Sequence, residues 1–403
     1  MNQKKIFNDP VYGFTEIPYG LIFDLVEHPY FQRLRRIKQL GFTHYVYPGA
    51  LHTRFHHALG ALHLMTETIS VLRSKGTEIT EEESQGVLIA ILLHDMGHGP
   101  FSHALEHTLV SIHHEDLSVF FMEALNRQFN SRLTLAIQIF KDEYPKKFLH
   151  QLVSGQLDMD RMDYLNRDSF FTGVSEGVIG YDRIIKMLAV RDNQLLVEEK
   201  GIYSIERFLT ARRIMYWQVY LHKTVLAAEQ MLIRTLKRAK ELALQGKKLD
   251  VSKNLAYFLY NDLKADQIVE EKTEILEHFA QLDDYDIVMA LKSFATNDDF
   301  VLSFLAKSLL NRKLFKIQLK NEPFSSDQIE NVRQKILKAH PNVDADYLLL
   351  VGEESNNVYS TLTDEISILF KDGQMLPMSL ISELGIRPKI ITKYYLCYPK
   401  NNL

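Results

Sequence analysis

Seven consecutive apolar residues, Val87-Leu88-Ile89-Ala90-Ile91-Leu92-Leu93, run directly into His94-Asp95. A helix through 82–95 has no polar face over that run, so it can be stable only with its whole circumference buried. Gly97, Gly99 and Pro100 then stop it. The chain must therefore fold around this segment, which carries an imidazole and a carboxylate to the end of its most apolar helix. A lone histidine there is most often a satisfied core residue. A buried His-Asp pair is harder to accommodate, because an unpaired carboxylate in an apolar setting is strongly destabilising. A divalent cation removes the difficulty, since neutral imidazole and carboxylate both become ligands.

The surrounding pattern is mostly helical from 21 to about 310, with apolar residues recurring three and four positions apart. Residues 1–20 read as turns and short strands, and 204–245 reads as one long helix that only Gly246 ends. With 18 glycines and 11 prolines in 403 residues, long uninterrupted helices are favoured. Near Arg312 the character changes: 314–319 alternates like a strand, 327–339 reads as a helix, and 346–351, 366–370 and 390–398 read as further strands. The expectation is a mostly α chain, with a helical part at 1–305 and a smaller α+β lobe at 306–403.

Sixteen histidines cluster unevenly. Upstream of the His94-Asp95 pair stands Arg54-Phe55-His56-His57-Ala58-Leu59-Gly60, and downstream stands Asp158-Met159-Asp160-Arg161-Met162-Asp163-Tyr164. The ordered set H…HD…D, with an arginine three residues before the first histidine, resembles the HD-domain phosphohydrolases. The resemblance is nearer to the deoxynucleoside triphosphate triphosphohydrolase branch, which includes bacterial dGTPases and the vertebrate sterile-alpha-motif/HD enzyme. It runs from about Phe31 to Lys223 through Phe31-Gln32-Arg33-Leu34-Arg35-Arg36-Ile37-Lys38-Gln39-Leu40-Gly41, Tyr47-Pro48-Gly49-Ala50, the two histidine segments, His113-His114-Glu115 and 160–168. It implies that 1–305 is an HD-type catalytic core and that His57, His94, Asp95 and Asp160 bind one divalent metal per site. Mn, Fe, Co, Ni, Zn and Mg all suit two histidines and two carboxylates, and additional Mg would accompany a triphosphate.

At 100° per residue, Asp160, Tyr164, Asp168 and Arg161 fall at about 0°, 40°, 80° and 100° around a helix. One face then presents a metal ligand, a phenol, a second carboxylate and a cation, although a solvated charged face has the same pattern. On the long helix, Arg212, Tyr216 and Lys223 share a face within about 40°, with Tyr220 about 80° around. The resemblance implies a phosphate clamp of Arg54, Arg161 and Arg212, with Tyr220 beside base and sugar and His222 near the active site. It also implies Gln39 and Asp168 on the sugar 3′-hydroxyl, and Leu40 and Tyr164 against its 2′ carbon. His98 and His103 align with active-site histidines, His103 as proton donor or phosphate binder, and His114-Glu115 as an acid/base or orienting pair. Leu221 departs from relatives that carry a base-contacting amide there, which leaves base preference open. The implied reaction is attack at the α-phosphorus, giving a deoxynucleoside and tripolyphosphate.

Arg33, Arg35, Arg36 and Lys38 read either as a solvated basic helix or, as the resemblance suggests for Arg33 and Arg35, as an allosteric nucleotide site between subunits. A symmetric homo-oligomer, dimer or tetramer, is expected of the family. The net charge of −4 excludes a polyanion-coating chain, so nucleic acid is not the expected partner and phosphate binding must be local. Cys397 is the single cysteine, which excludes an intramolecular disulfide and any Cys-rich zinc module. The start of the chain lacks a signal-type apolar stretch, and no run approaches the roughly 20 residues that span a bilayer, so a cytoplasmic enzyme is expected. Rival readings are another HD-type activity, a nucleotide phosphomonoesterase or (p)ppGpp hydrolase, and a non-catalytic nucleotide sensor. The chain lacks a Gly-Tyr-Pro signature after its HD pair, which argues against cyclic-dinucleotide hydrolysis.

Overall fold

A computed structural model describes residues 4–101, 108, 112–262, 272–357, 365–383 and 390–400. The first element is a hairpin of β1 (Lys4–Asp9) and β2 (Gly13–Pro18), paired from Lys4 opposite Pro18 to Asp9 opposite Gly13. Short helices α1 (Leu21–Glu27) and α2 (Pro29–Gln32) lead through a 3-10 turn at Arg33–Arg36 to α3 (Arg54–Ser74). Next come α4 (Glu81–Leu93), α5 (His114–Gln128), α6 (Thr134–Phe140), α7 (Lys147–Val153) and α8 (Met159–Thr172).

Helix α4 is the centre of this bundle, as its apolar run requires. Thr80 caps it: its Oγ1 accepts from Glu83 N at 3.1 Å while Glu83 Oε2 accepts from Thr80 N at 2.8 Å. Every residue from Gly86 to Leu93 is buried, and each Leu or Ile contributes about 1.5–3 kcal/mol by leaving water. Helices α3, α6 and α7 pack around it, and α8 packs against α3. The C-terminal end of α4 thus opens between α3 and α8.

The second half begins with α9 (Tyr181–Met187) and an antiparallel hairpin, β3 (Leu188–Arg191) and β4 (Gln194–Glu198). Its two-residue turn, Asp192-Asn193, has φ of 50° and 63°, the primed-turn conformation that Asp and Asn tolerate. This hairpin interrupts the run expected to be helical. Helices α10 (Ile202–Met215), α11 (Lys223–Leu244) and α12 (Lys253–Tyr260) follow, then α13 (Lys272–Phe279), α14 (Asp284–Phe294) and α15 (Phe300–Leu310).

The single long helix expected at 204–245 is two. A π-helical turn, Tyr216–Tyr220, ends α10, Leu221 and His222 leave helical geometry, and His222 starts α11 by accepting from Thr224 N at 3.2 Å. The wider turn and the break re-phase everything after Met215. Lys223, expected on the face of Arg212, is exposed.

The C-terminal residues form two sheets. β5 (Lys316–Lys320) and β6 (Leu350–Asn357) flank β9 (Ile390–Tyr398), both antiparallel to it, with α16 (Ser326–Ala339) between β5 and β6 in sequence. The strand expected at 346–351 starts later, because Asp344 accepts from Asp346 N at 3.0 Å and opens a 3-10 turn there. β7 (Ser367–Leu369) pairs parallel to β4 and antiparallel to β8 (Met375–Pro377), so this sheet draws on both the middle and the end of the chain.

Candidate active site

Three helices deliver the metal-type donors. His57 comes from the first turn of α3, His94 and Asp95 from the end of α4, and Asp160 from the first turn of α8, which Asp158 caps by accepting from Arg161 N at 2.6 Å. One atom from each of His57, His94 and Asp160 lies within 4.8 Å of the others. His57 Nε2 is 3.0 Å from Asp160 Oδ1 and 3.4 Å from His94 Nε2, and His94 Nε2 is 3.5 Å from Asp160 Oδ1. Ligands at about 2.0–2.1 Å from a common ion stand roughly 2.9–3.4 Å apart, so the spacing suits a shared cation.

The outer ring nitrogens support that fit. His57 Nδ1 lies 2.7 Å from Asp163 Oδ2, and His94 Nδ1 lies 2.6 Å from the Ile91 carbonyl. Both acceptors require N–H on Nδ1, which leaves the two Nε2 lone pairs facing each other across the site. Two lone pairs so placed need a cation or a proton between them.

Without an ion the burial of His57 disfavours charge, but hydrogen bonds to Asp160 and Asp163 and the charges of Asp163 and Asp95 outweigh it and push its pKa up to about 10. Burial would raise the Asp160 carboxyl, yet its contacts with His57 and His94 hold it below the ordinary carboxylate range. With no ion bound, a proton on His57 would stand where a cation would bind, and the two would compete.

Asp95 stands beside this triad. Its Oδ1 is 3.4 Å from His94 Nε2 and its Oδ2 is 3.8 Å from His57 Nε2, while Arg54 Nη1 donates to Oδ2. Burial opposes its charge, but the Arg54 guanidinium and the imidazoles of His94 and His98 keep it well below the usual range. His98 Nε2 is 3.3 Å from Asp95 Oδ1, and its ring stacks on His114 at 4.0 Å. Burial and the charge of Arg54 hold the His98 pKa well below its ordinary value. His114, at the start of α5, is half-buried, and Glu115 beside it is exposed. His103 lies outside the described residues.

A cavity of about 1000 Å³ opens in front of these groups. Its lining includes His94, Asp95, His98, His114, Glu115 and Asp160, together with Arg54, Arg161, Arg212, Gln39, Leu40, Tyr164, Asp168 and Tyr220. His57 sits behind it, fully buried. His222 does not line it, because its ring caps α11. Arg161 turns toward Asp158, to which its Nη1 donates, while its Nε is buried without a partner among the described residues. Arg212 reaches Gln156 Oε1 at 3.1 Å through Nη1, and its Nε is likewise without a partner. Gln39 Oε1 is a third such atom on the cavity wall. Asp168 accepts from Tyr220 Oη at 2.8 Å, and the Tyr164 and Tyr220 rings meet edge to face at 5.9 Å.

The residues read as either a solvated basic helix or an allosteric nucleotide site make the following contacts. Arg33 is fully buried and its guanidinium donates to the carbonyls of Leu282, Met96 and His98 at 2.7, 3.1 and 2.8 Å. It braces the loop after Asp95, and its donors are spent on backbone rather than on a nucleotide. Arg35 stays exposed, stacked on Phe55 at 3.6 Å. Arg36 pairs with Asp283, and Lys38 pairs with Asp284 at 3.0 Å.

Sequence reasoning passed over several residues that the fold brings in. Asp163 holds His57 and is itself held by Arg167, and His52 contacts Asp168. Glu229 and Glu354 also line the cavity, the latter from β6. Burial and the charge of Glu354 push the Glu229 carboxyl up to about 8.

A helical bundle that converges imidazoles and carboxylates beside guanidinium groups defines a metal-type site facing a large, partly cationic cavity. A profile of the HD domain matches residues 54–168, and one of the HD associated region matches residues 179–257. The chain is 31% identical to the uncharacterized protein YwfO of Bacillus subtilis, over 100% of this chain and 93% of that one. It is 34% identical to the deoxynucleoside triphosphate triphosphohydrolase SAMHD1 homolog of Dictyostelium discoideum, over 57% of this chain and 48% of that one. The crystal structure of a phosphohydrolase from Bacteroides thetaiotaomicron superposes with a TM-score of 0.95 at 52% identity, covering 99% of this chain and 100% of that one. The chain belongs to the HD-domain phosphohydrolases, near the deoxynucleoside triphosphate triphosphohydrolases.

Proposed function

We propose that the protein is a metal-dependent deoxynucleoside triphosphate triphosphohydrolase, converting a dNTP and water to a deoxynucleoside and tripolyphosphate. The observation that carries this reading is one cavity whose wall joins the metal-type donors, Arg54, Arg161 and Arg212, and the set Gln39, Leu40, Tyr164, Asp168 and Tyr220. That lining suits a triphosphate at one end and a deoxyribose at the other. Relatives named deoxynucleoside triphosphate triphosphohydrolase match over 57%, 58% and 54% of the chain.

A divalent cation held by His57, His94 and Asp160, with Asp95 beside them, would supply Lewis-acid chemistry at the α-phosphate. The chain's own residues supply the rest. Arg54, Arg161 and Arg212 present planar donors that match phosphate oxygens. In the overall step water oxygen bonds to the α-phosphorus, the bond from phosphorus to the 5′-oxygen breaks, and that oxygen takes up a proton. His114, stacked on His98 at the cavity wall, is the described residue suited to move a proton there. Leu40 and Tyr164 leave a ribose 2′-hydroxyl without a partner. The protein is further proposed to act as a symmetric homo-oligomer.

The test is incubation with each dNTP and rNTP plus Mn²⁺ or Mg²⁺, with the inorganic product identified. Tripolyphosphate is expected, with kcat/KM for dNTPs exceeding that for rNTPs by roughly tenfold to several hundredfold, the usual cost of burying an unpaired hydroxyl. Orthophosphate alone from the outset would instead mark a phosphomonoesterase. No turnover of any nucleotide, with metal bound, would mark a sensor.

A further inference from the structure

His52 lies just outside the cavity, almost wholly buried, at 2% exposure. Its Nε2 is 2.7 Å from Asp168 Oδ1, and because a carboxylate only accepts, that nitrogen is the donor. Tyr220 Oη donates to the other oxygen of the same carboxylate at 2.8 Å. Asp168 is therefore pinned between donors on its two oxygens, each of which keeps a lone pair for a further hydrogen bond. The His52 backbone also matters: its carbonyl accepts from Gln39 N at 3.0 Å, in a short antiparallel bridge completed by Arg54 N on the Ile37 carbonyl at 3.0 Å. One residue thus sets a side chain with its imidazole and a backbone segment with its carbonyl, and both carry groups on the cavity wall.

We propose that His52 is a positioning residue for recognition of a sugar 3′-hydroxyl, aligning Asp168 and Gln39 as a two-pronged acceptor and donor. The inference rests on the deoxynucleotide reading above. A histidine that merely filled the core would need no directed donor, and its backbone would not be tied to the second prong. Phe171 completes the device by stacking on the imidazole at 4.5 Å with the planes 16° apart, which fixes the ring's rotation. Among the described residues His52 Nδ1 has no partner, so Nε2 carries the ring's one hydrogen bond there and is aimed at Asp168. The Gln39 amide stands on the cavity wall with its Oε1 buried and without a partner among the described residues, and the NH2 group of the same amide is the donor for a hydroxyl whose own proton goes to Asp168. A 3′-hydroxyl can donate to one prong and accept from the other, whereas a 2′,3′-dideoxy sugar can do neither.

The experiment compares kcat/KM for a dNTP and the 2′,3′-dideoxynucleotide of the same base in the unmodified protein, His52→Ala and His52→Gln, with metal content measured in each. The unmodified protein should favour the dNTP by about tenfold to a hundredfold, the range for leaving a buried polar group unpaired. In His52→Ala the ratio should fall to within about threefold, mainly through a KM raised about tenfold for the dNTP, with metal content unchanged. His52→Gln, whose amide can donate to Asp168, should recover most of the ratio. His52→Ala with the full ratio would overturn the inference alone, as would failure of His52→Gln to recover any of it. An unmodified protein that accepts both sugars equally would overturn the sugar reading and the inference together.

Discussion

Alanine at His94 or Asp160 is expected to abolish stoichiometric metal binding, measured by elemental analysis, and to lower turnover by on the order of a thousandfold or more, since a Lewis-acid cation supplies several kcal/mol of transition-state stabilisation. The two residues arrive from different helices, yet their donor atoms lie 3.5 Å apart. Removing either leaves His57 Nε2 with one partner in place of two. Asp163→Asn should give an intermediate result, a metal affinity about 10–100-fold weaker, because the carboxylate that orients His57 is lost while the ligands remain. His56→Ala provides the control. That side chain is exposed and its Nδ1 is 2.9 Å from Thr53 Oγ1, so it closes the start of α3 and should cost no more than about 1 kcal/mol of stability. Stoichiometric metal in both His94→Ala and Asp160→Ala would refute the assignment.

The control also shows what was readable in advance. Adjacent histidines on a helix face different ways, and the choice of His57 over His56 followed from the resemblance. Burial explains it: α3 packs His57 against α8 and leaves His56 in solvent. The α4 run was legible because seven apolar residues admit one environment only. β5 was legible from alternation and β9 from a strand-like run. The break between α10 and α11 was not, because Tyr216-Trp217-Gln218-Val219-Tyr220 contains no glycine or proline and carries an ordinary helical pattern. The widened turn there sets Tyr220 onto Asp168, and such tertiary selection leaves no local mark. The β3–β4 hairpin did leave one, since Asp192-Asn193 between apolar runs is a turn signal that the surrounding helical periodicity overrode.

Asp163 and His52 were missed for a different reason. Each acts on a partner more than a hundred residues away, His57 and Asp168 respectively. Hydrogen-bond partners at that separation are specified by packing between helices rather than by spacing along one. The motif 160–168 displayed Asp163 and Arg167, but only the fold shows that this pair faces away from the cavity and toward β1.

Arg167→Leu should be among the most destabilising single substitutions in the protein, lowering stability by about 3–5 kcal/mol because it leaves buried carboxylates without their counter-charge. Arg167 is fully buried, donating through Nε and Nη2 to both oxygens of Asp163 at 2.9 Å and through Nη1 to Asp9 Oδ2 at 2.9 Å. The burial that opposes its charge is outweighed by those two acids, which raise its pKa. Helix α3 admits this network only at Gly60, where a Cβ would overlap Asp163 Oδ1 and Arg167 Nη2. The chain of contacts runs from the N-terminal hairpin through Arg167 and Asp163 to His57, so stability and metal affinity should fall together. Denaturant-induced unfolding of the metal-free protein measures the first, and metal titration the second. Asp9→Asn removes one carboxylate, so in that background Arg167→Leu should cost measurably less, a coupling that a double-mutant cycle reads directly. Equal costs in the two backgrounds would show that Asp9 contributes nothing to holding Arg167, and the hairpin would then be uncoupled from the metal site.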